Sequence, residues 1–305
     1  MASESWSLFR LLKDSVNNFI EDDCPTMAAA LSYYTVFSLP PLLVLLLTIL
    51  GAVIDPQDIQ GTIEAQMRAA MGPAGADQVR TILANVDRPS VGSLPAVISI
   101  IALLLGATGV FGQLQAALNK AWDVAPDPAK GGIKTMLLKR VFGVGMVVGL
   151  AFILLVSLVV SAVLSAFGDQ IGRLLPEGLS ATLLEGLNFA GSLAVITLLF
   201  GAIFKVLPDA KIAWSDVRVG ALATAVLFAA GKFALGLYLG RSNPGEAFGA
   251  AGALALMLVW IYYSSMIVLM GAEFTKSWAE HRGRGIVPER GAVRVVREMR
   301  KVEGT

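Results

Sequence analysis

The chain has 305 residues, of which 55% are hydrophobic and only 15% are charged. This composition excludes an ordinary soluble globular protein, in which about a quarter of the residues are charged. A formal net charge of +1 identifies no partner, and the single cysteine, Cys24, excludes a disulfide within the chain. The composition therefore indicates one integral membrane domain with short soluble attachments.

Residues 1–23 predict an amphipathic helix, because apolar residues recur there at steps of three and four. These residues are Trp6, Phe9, Leu12, Val16 and Phe19. No hydrophobic run precedes the first long apolar segment, so we expect no cleavable signal peptide. The helix is expected either to lie in the cytoplasmic membrane interface or to pack against the ends of the spans.

Six long segments carry almost no charge. Five contain no Asp, Glu, Lys or Arg, and the sixth, Val219–Gly240, contains only Lys232. The five are Cys24–Ile54, Pro89–Asn119, Val141–Gly168, Gly186–Phe204 and Ala247–Ala272. Since roughly 20 apolar helical residues cross a bilayer, we predict an all-α polytopic protein. Its membrane domain covers residues 24–276, with spans at about 27–54, 94–113, 141–167, 186–206, 219–240 and 249–273.

Lys and Arg residues are distributed unequally between alternate loops. With both termini in the cytoplasm, 18 of them lie inside and 5 outside, while Lys232 lies within a span. This bias predicts a protein of the plasma (inner) membrane with cytoplasmic N- and C-termini. The basic segment 277–305 then forms a cytoplasmic tail.

The first external loop, 55–88, is too long for a simple turn. Two short apolar stripes flank Gly72-Pro73, so we predict a helical hairpin on the outer surface. The stripes are Ile59, Ile63 and Met67, and Val79, Ile82, Leu83 and Val86. The loop is expected to act either as a lid over a pathway or as a passive cap.

Polar residues in the first span are candidates for lining a substrate pathway. Pro40 and Pro41 lie in the middle of this span, and proline removes a backbone donor, so a kink or break is expected near Leu39. The polar candidates just before it are Ser32, Tyr33, Tyr34, Thr35 and Ser38. A kink without any site is the alternative interpretation.

Three charged residues in or beside the spans complete the candidates for the pathway. Lys232 is placed deep in the fifth span and is expected to face the bundle interior. Glu273 ends the last apolar run, where it is expected to meet Lys205 at the end of the fourth span. This pair predicts either an interfacial ion pair or a carboxylate that couples protons or cations.

The tail contains four basic residues at helical spacing. Arg290, Arg294, Arg297 and Lys301 would share one face of a helix, which predicts binding to anionic lipid. A disordered tail is the alternative.

Four segments resemble the YihY/BrkB family of inner-membrane proteins, long labelled ribonuclease BN. They are AAALSYYTVFSLPPLL (28–43), GVFGQLQAALNKAWDV (109–124), LPDAKIAWSDVRVGALATA (207–225) and GEAFGAAGALALMLVWIYYSSMIVLMGAE (245–273). The resemblance runs from about Asp23 to Lys276, leaves the tail after Trp278 outside it, and implies a six-span helical fold without a settled activity.

The ribonuclease label does not suit the residues present. A metal-dependent nuclease needs clustered His, Asp or Glu ligands, and a metal-free one needs paired acid/base groups. The chain has one histidine, His281, and scattered acidic residues. We therefore expect no enzyme activity, no cofactor, no bound metal and no nucleic-acid partner.

Two functions remain open. The first is a transporter or permease for a small polar or amphipathic solute or lipid. The second is a non-transporting scaffold that binds anionic lipid or partner proteins. Membrane lipids are expected partners of both, and the sequence leaves oligomerisation open.

The topology is directly testable with reporter fusions. Fusions after Arg88, Arg173 and Arg241 are expected to report the outside, because few basic residues lie there. Fusions after Lys130, Asp209 and Arg290 are expected to report the cytoplasm. Reversed signals around the fourth or fifth span would remove that pair from the topology.

Overall fold

The structure is a computed structural model that describes residues 8–50, 94–130, 179–241 and 252–296, with positions 60, 61, 63–65, 68, 76 and 80. The four continuous segments form six α-helices and two two-stranded sheets, and the isolated positions between 60 and 80 are also helical. The helices are α1 (Leu8–Glu21), α2 (Cys24–Leu50), α3 (Leu94–Ala121), α4 (Leu179–Val206), α5 (Trp214–Arg241) and α6 (Gly252–His281). The strands are β1 (Val124–Pro126), β2 (Ala210–Lys211), β3 (Val287–Pro288) and β4 (Ala292–Arg294), and a 3-10 turn covers Pro128–Lys130.

Three of the described helices contain segments long and apolar enough to cross a membrane, namely Phe189–Val206, Trp214–Leu235 and Leu254–His281. The architecture is therefore that of a mostly helical membrane protein. The predicted span 141–167 and nearly all of the predicted hairpin 55–88 fall outside the described residues, so six spans and the hairpin stay predictions. Two small sheets, with strands of two or three residues, accompany the helices.

Helix α6 is the central element of the described fold. It packs against α1, α2, α3 and α5, while α2 also packs on α3 and α4 on α5. At one end of the bundle, α2 and α5 begin and α3, α4 and α6 terminate. We call this the basal end. Both sheets and α1 lie there. A core at this end joins buried side chains from α1, α3, α4 and α6, among them Phe19, Trp122, Phe204 and Leu269.

Helices α5 and α6 approach closely through reciprocal glycine–threonine contacts. A Cβ atom added to Gly220 would collide with Thr275, and one added to Gly271 would collide with Thr224. Each threonine hydroxyl donates to the glycine carbonyl four residues earlier on its own helix, at 2.7 Å for Thr224 and 2.6 Å for Thr275. The polar atoms are thus satisfied within each helix, and small residues let the backbones meet.

Helix α2 runs without a break through Pro40 and Pro41 to Leu50. Of the predicted kink or break near Leu39, the break is therefore wrong, and the kink stays a prediction. The two prolines lack the N–H groups that would bond the carbonyls of Val36 and Phe37, yet the helix continues. Packing on α3 supports it locally, because Gly109 lets the ring of Tyr34 approach: a Cβ there would lie 2.8 Å from Tyr34 Cδ1.

The C-terminal segment is extended rather than helical. Strand β4 pairs antiparallel with β1, and β3 pairs antiparallel with β2, so residues 287–294 join the loops that follow α3 and α4. Gly291 has φ of +93°, which a right-handed helix cannot contain. The predicted basic helix through Arg290 and Arg294 is therefore wrong over the described residues, and Arg297 and Lys301 lie beyond them.

Helix α1 divides its apolar residues between two faces. Leu11, Ser15 and Phe19 are buried, on the helix that packs against α6. A second row of large apolar side chains is exposed, comprising Leu8, Phe9, Leu12, Val16 and Ile20. The predicted amphipathic helix is present, but its packing face is shifted from the predicted stripe, since Phe9, Leu12 and Val16 are exposed.

The close crossing of α5 and α6 predicts different effects of alanine at two helical glycines. Gly271→Ala is expected to lower the free energy of unfolding by about 1–3 kcal/mol, because the new methyl group collides with Thr224. Gly186→Ala is the matched control and is expected to be neutral or to stabilise by up to about 1 kcal/mol, since no atom lies within 4 Å of its Cβ position.

Both variants are measured by thermal unfolding in detergent with a thiol-reactive fluorophore. Cys24 is the only cysteine and is buried, so dye labelling reports loss of the basal core. Equal stability of the two variants would show that α5 and α6 do not pack through Gly271.

Candidate functional site

Two tight turns bring acidic residues to the basal end. The turn between α1 and α2 contains Asp22 and Asp23, and the turn after α3 contains Asp123. Asp23 and Asp123 adopt φ of 56° and 53°, in the left-handed region that aspartate tolerates better than most residues. Each turn follows the end of a helix. From these turns the carboxylates of Asp22 and Asp123 reach Lys276 of α6.

Lys276 of α6 binds both turns. Its Nζ lies 2.7 Å from Asp123 Oδ2 and 3.9 Å from Asp22 Oδ2. The Lys276 and Asp22 side chains are only 9% and 5% exposed, whereas that of Asp123 is 28% exposed. One ammonium group thus neutralises carboxylates from two distant parts of the chain, in surroundings where solvent screens the charges weakly.

Glu273 lies one turn before Lys276 and is completely buried. Its Oε1 accepts a weak hydrogen bond from the Cys24 thiol at 3.8 Å. Its Oε2 is buried and meets no hydrogen-bond donor among the described residues. The Asp22 carboxyl group is close enough to interact with that of Glu273. Two neighbouring carboxyl groups disfavour ionisation of both at once. We call Asp22, Cys24, Asp123, Glu273 and Lys276 the basal cluster.

Aromatic and amide groups hold the basal cluster in place. Trp122 Nε1 donates to the Ala272 carbonyl at 3.0 Å, so the indole spans from α3 to α6 beside Glu273. The Trp122 ring also packs edge-on against Phe204 with centroids 6.0 Å apart. On α1, Asn18 Nδ2 donates to Ser277 Oγ at 3.4 Å. These contacts fix α6 relative to α1, α3 and α4.

A solvent-open groove of about 460 Å³ borders the cluster at the end of α3. Its polar wall is a network in which Asn119 Nδ2 donates to Asp209 Oδ2 at 2.9 Å and Asp209 N donates to Asn119 Oδ1 at 2.8 Å. Val124 and Val295 also line it, and Val295 N donates to the Asp123 carbonyl at 2.7 Å. The groove therefore reaches the backbone beside Asp123.

The structure separates Glu273 from Lys205, so the expected pairing of these two residues is wrong. Lys205 Nζ donates to the Ile212 carbonyl at 2.5 Å and lies 5.7 Å from the centre of the Trp214 ring. It therefore closes the loop between α4 and α5. The partners of Glu273 come instead from the start of α2 and from the turn before it.

Lys232 is exposed on α5 and does not enter the core. The buried neighbour that faces α6 is Gly231, where an added Cβ would meet Tyr263 and Ile267. The predicted span 141–167 lies outside the described residues, so the expectation that Lys232 faces the interior of the bundle stays a prediction. Lys232 also lies eight residues after Thr224, which faces Gly271 of α6. This separation is about 12 Å along α5 and places Lys232 farther from the basal end.

The predicted polar stretch of α2 satisfies its hydroxyl groups locally. Ser32, Thr35 and Ser38 donate to carbonyls of their own helix at 2.7–2.9 Å. Tyr33 and Tyr34 are exposed. Hydroxyl groups bonded in this way are tolerated in a membrane helix without any site. The structure does not bring these residues together with Lys232 or Glu273.

Sequence reasoning identified Glu273 but missed Asp22, Asp123 and Lys276. A signal was present, because Asn119, Trp122 and Asp123 lie in the segment 109–124 that carries the family resemblance, and Asp209 lies in 207–225. Lys276 follows Glu273 by three residues, which places both on one helical face. The pairing itself depends on contacts between residues up to about 250 positions apart, such as Cys24 and Glu273.

Comparison with known proteins gives the family. The sequence profile of the virulence factor BrkB family matches residues 15–294. A UPF0761 membrane protein of Alkalilimnicola ehrlichii is 29% identical over 277 residues, which cover 88% of this chain and 59% of the relative. A second UPF0761 membrane protein, from Psychrobacter sp., is 29% identical over 88% of this chain and 48% of its own length. The chain thus spans only about half of these relatives' length.

A further relative, the ribonuclease-like protein YfkH of Bacillus subtilis, is 24% identical over 86% of this chain and 92% of its own length. No solved structure matches the chain. The family match extends past Trp278 to residue 294, so the tail strands belong to the family pattern, contrary to the boundary set from the sequence. Since the match covers most of the chain, the protein is a membrane protein that belongs to the virulence factor BrkB family.

Proposed function

We propose that this protein is a permease that moves a small polar or amphipathic solute, or a lipid, across the plasma (inner) membrane, with the basal end in the cytoplasm. The observation that supports this proposal is the basal cluster. Glu273 and Lys276 are buried in α6, within the segment Leu254–His281 that is apolar enough to cross a membrane. Ionisable residues inside such segments commonly belong to substrate or ion pathways.

The energetics favour a functional cluster over a purely structural one. A buried ion pair often stabilises a fold no better than apolar residues of the same volume. The same cluster contains a buried carboxyl oxygen without a hydrogen-bond donor among the described residues, which a structural site would be expected to avoid. A site that must exchange protons or rearrange during transport gives a reason to keep it.

A membrane-bound scaffold is the second candidate, supported by α1. Five large apolar side chains of this helix are exposed in one row, and Arg10 and Lys13 are exposed on the same helix. Such a helix suits the membrane interface with anionic lipid. The exposed Arg290 and Arg294 of the tail would add to this attraction. This surface is compatible with both functions, so the basal cluster decides our preference.

Efflux from proteoliposomes tests the permease. Vesicles loaded with a polar extract of bacterial metabolites and lipids are diluted, and the released compounds are quantified by mass spectrometry. The wild-type protein is expected to release at least one compound several-fold faster than protein-free vesicles. Lys276→Met is expected to reduce this rate by tenfold or more, because it leaves Asp22 and Asp123 without their buried counter-charge.

Lys211→Met provides the matched control, since Lys211 is exposed in β2, and it is expected to release compounds at the wild-type rate. If wild-type and protein-free vesicles release every compound equally, the permease proposal fails and the scaffold becomes the better account. If Lys276→Met and the wild type release compounds at equal rates, transport does not depend on the basal cluster.

We also propose that the protein does not cleave RNA. The chain has one histidine, and no group of three or more His, Cys, Asp or Glu side chains suited to a metal lies within the described residues. Purified protein is expected to leave a fluorescent single-stranded RNA intact with Mg²⁺ or Zn²⁺. Cleavage that copurifies with the protein and disappears in Asp209→Asn or Asp123→Asn would contradict this proposal.

A further inference from the structure

The charges of the basal cluster do not balance if every group is ionised. Asp22 and Asp123 lie within salt-bridge distance of Lys276, so the single ammonium is already shared between two carboxylates. Glu273 makes no such contact with a basic side chain in the described part of the chain. An ionised Glu273 would lose its solvation and be repelled by Asp22 and Asp123, and the attraction of Lys276, which these aspartates already share, opposes this only in part.

The groups that face Glu273 come from four parts of the fold. They are Asp22 from the turn before α2, Cys24 from α2, Asp123 from the end of α3 and Lys276 from α6. Lys120 of α3 is a further basic group near the cluster, and its charge interacts with the Cys24 thiol. A proton on Glu273 removes the excess negative charge. It also gives Oε2 a hydrogen to donate, which explains why no donor approaches this buried oxygen.

We infer that Glu273 carries a proton in the resting protein, that this proton is hydrogen-bonded to Asp22, and that Glu273 is the proton-binding site of the transport cycle. Proton binding itself follows from the geometry, whereas its use in transport rests on the proposed permease function. The coupling ion of this cycle is thus a proton.

A route for the proton is visible in the exposure of the cluster. The side chain of Asp123 is 28% exposed, those of Lys276 and Asp22 are 9% and 5% exposed, and Glu273 is fully buried. The groove along α3 brings solvent to the neighbours of Asp123. On proton release the Oε2–H bond breaks, its electron pair stays on Glu273, and the proton passes to water.

Infrared difference spectroscopy tests the protonation state without any transported solute. Wild-type protein in lipid nanodiscs at neutral pH is expected to show the carbonyl stretch of a protonated carboxylic acid, shifted in D₂O. Glu273→Gln is expected to lose this band, and Asp22→Asn is expected to shift it by changing its hydrogen bond. Asp14→Asn is the control, because Asp14 is a half-exposed carboxylate beside His281 at 3.5 Å, and it should leave the band unchanged.

Thermal unfolding gives a second, independent readout. Glutamine resembles a protonated glutamate in shape and charge, so Glu273→Gln is expected to unfold within about 2 °C of the wild type. Lys276→Met is expected to unfold at least about 5 °C lower. A wild-type spectrum that matches that of Glu273→Gln, or a Glu273→Gln protein that is as unstable as Lys276→Met or does not fold, would overturn the inference.

An imposed pH gradient separates this inference from the permease proposal. In the efflux experiment, the gradient is expected to change the wild-type rate several-fold and to leave the Glu273→Gln rate unchanged. If the wild-type efflux rate does not depend on the gradient, proton coupling is overturned and the permease proposal stands. If the infrared band is present but no efflux occurs, the proton site stands and the permease proposal is overturned.

Discussion

The position of α6 depends on the contact between Lys276 and two carboxylates from other parts of the chain. Asp22 reaches it from the turn before α2, and Asp123 reaches it from the turn after α3. Because the ammonium is almost fully enclosed, losing either partner leaves a poorly solvated charge. This requirement places the start of α2, the end of α3 and the last turns of α6 at one level. The basal core around Trp122 and Phe204 then packs beside them.

The same arrangement explains why Glu273 has so few partners. The backbone geometry of α6 puts Glu273 on the same face as Lys276, one turn deeper. At that depth Glu273 faces Cys24, Asp22, Asp123 and Lys276, and the Lys276 ammonium is already bound to the two aspartates. A carboxyl group can remain there at low free energy when it is neutral. Lys276 and Glu273 are one helical turn apart, and this difference in depth makes the first a salt-bridge residue and the second a proton site.

Hydrophobic length was enough to find most of the helices, because a bilayer demands long uncharged segments. The charge-free runs at Cys24–Ile54 and Gly186–Phe204 correspond to α2 and α4, and the resemblance carried by four segments is confirmed by the family match. Pairing between distant residues was not accessible in the same way. Glu273 and Lys205 both lie at the basal end, yet α4 packs on α5 whereas α6 packs on α2, so Glu273 meets Cys24 instead.

The spacing of basic residues along the chain also predicted the wrong secondary structure where pairing with distant strands determines the backbone conformation. Arg290 and Arg294 are four residues apart, which is typical of a helical face, but Gly291 and pairing with β1 and β2 make this segment extended. In α2, Pro40 and Pro41 do not end the helix, which packs against α3 and α6. The close packing at Gly220 and Gly271 could be recognised only once the structure showed the threonines that face them.

The pairing of residues 287–294 with the loops after α3 and α4 has a consequence for how the protein is made. Strands β1 and β2 leave the ribosome long before β3 and β4, so both remain single strands with unpaired edges while α5 and α6 are inserted. Their partners arrive only after α6 is complete. The basal end therefore closes last during biogenesis, and a chain whose α6 is misinserted would present open strand edges that quality-control proteases and chaperones recognise.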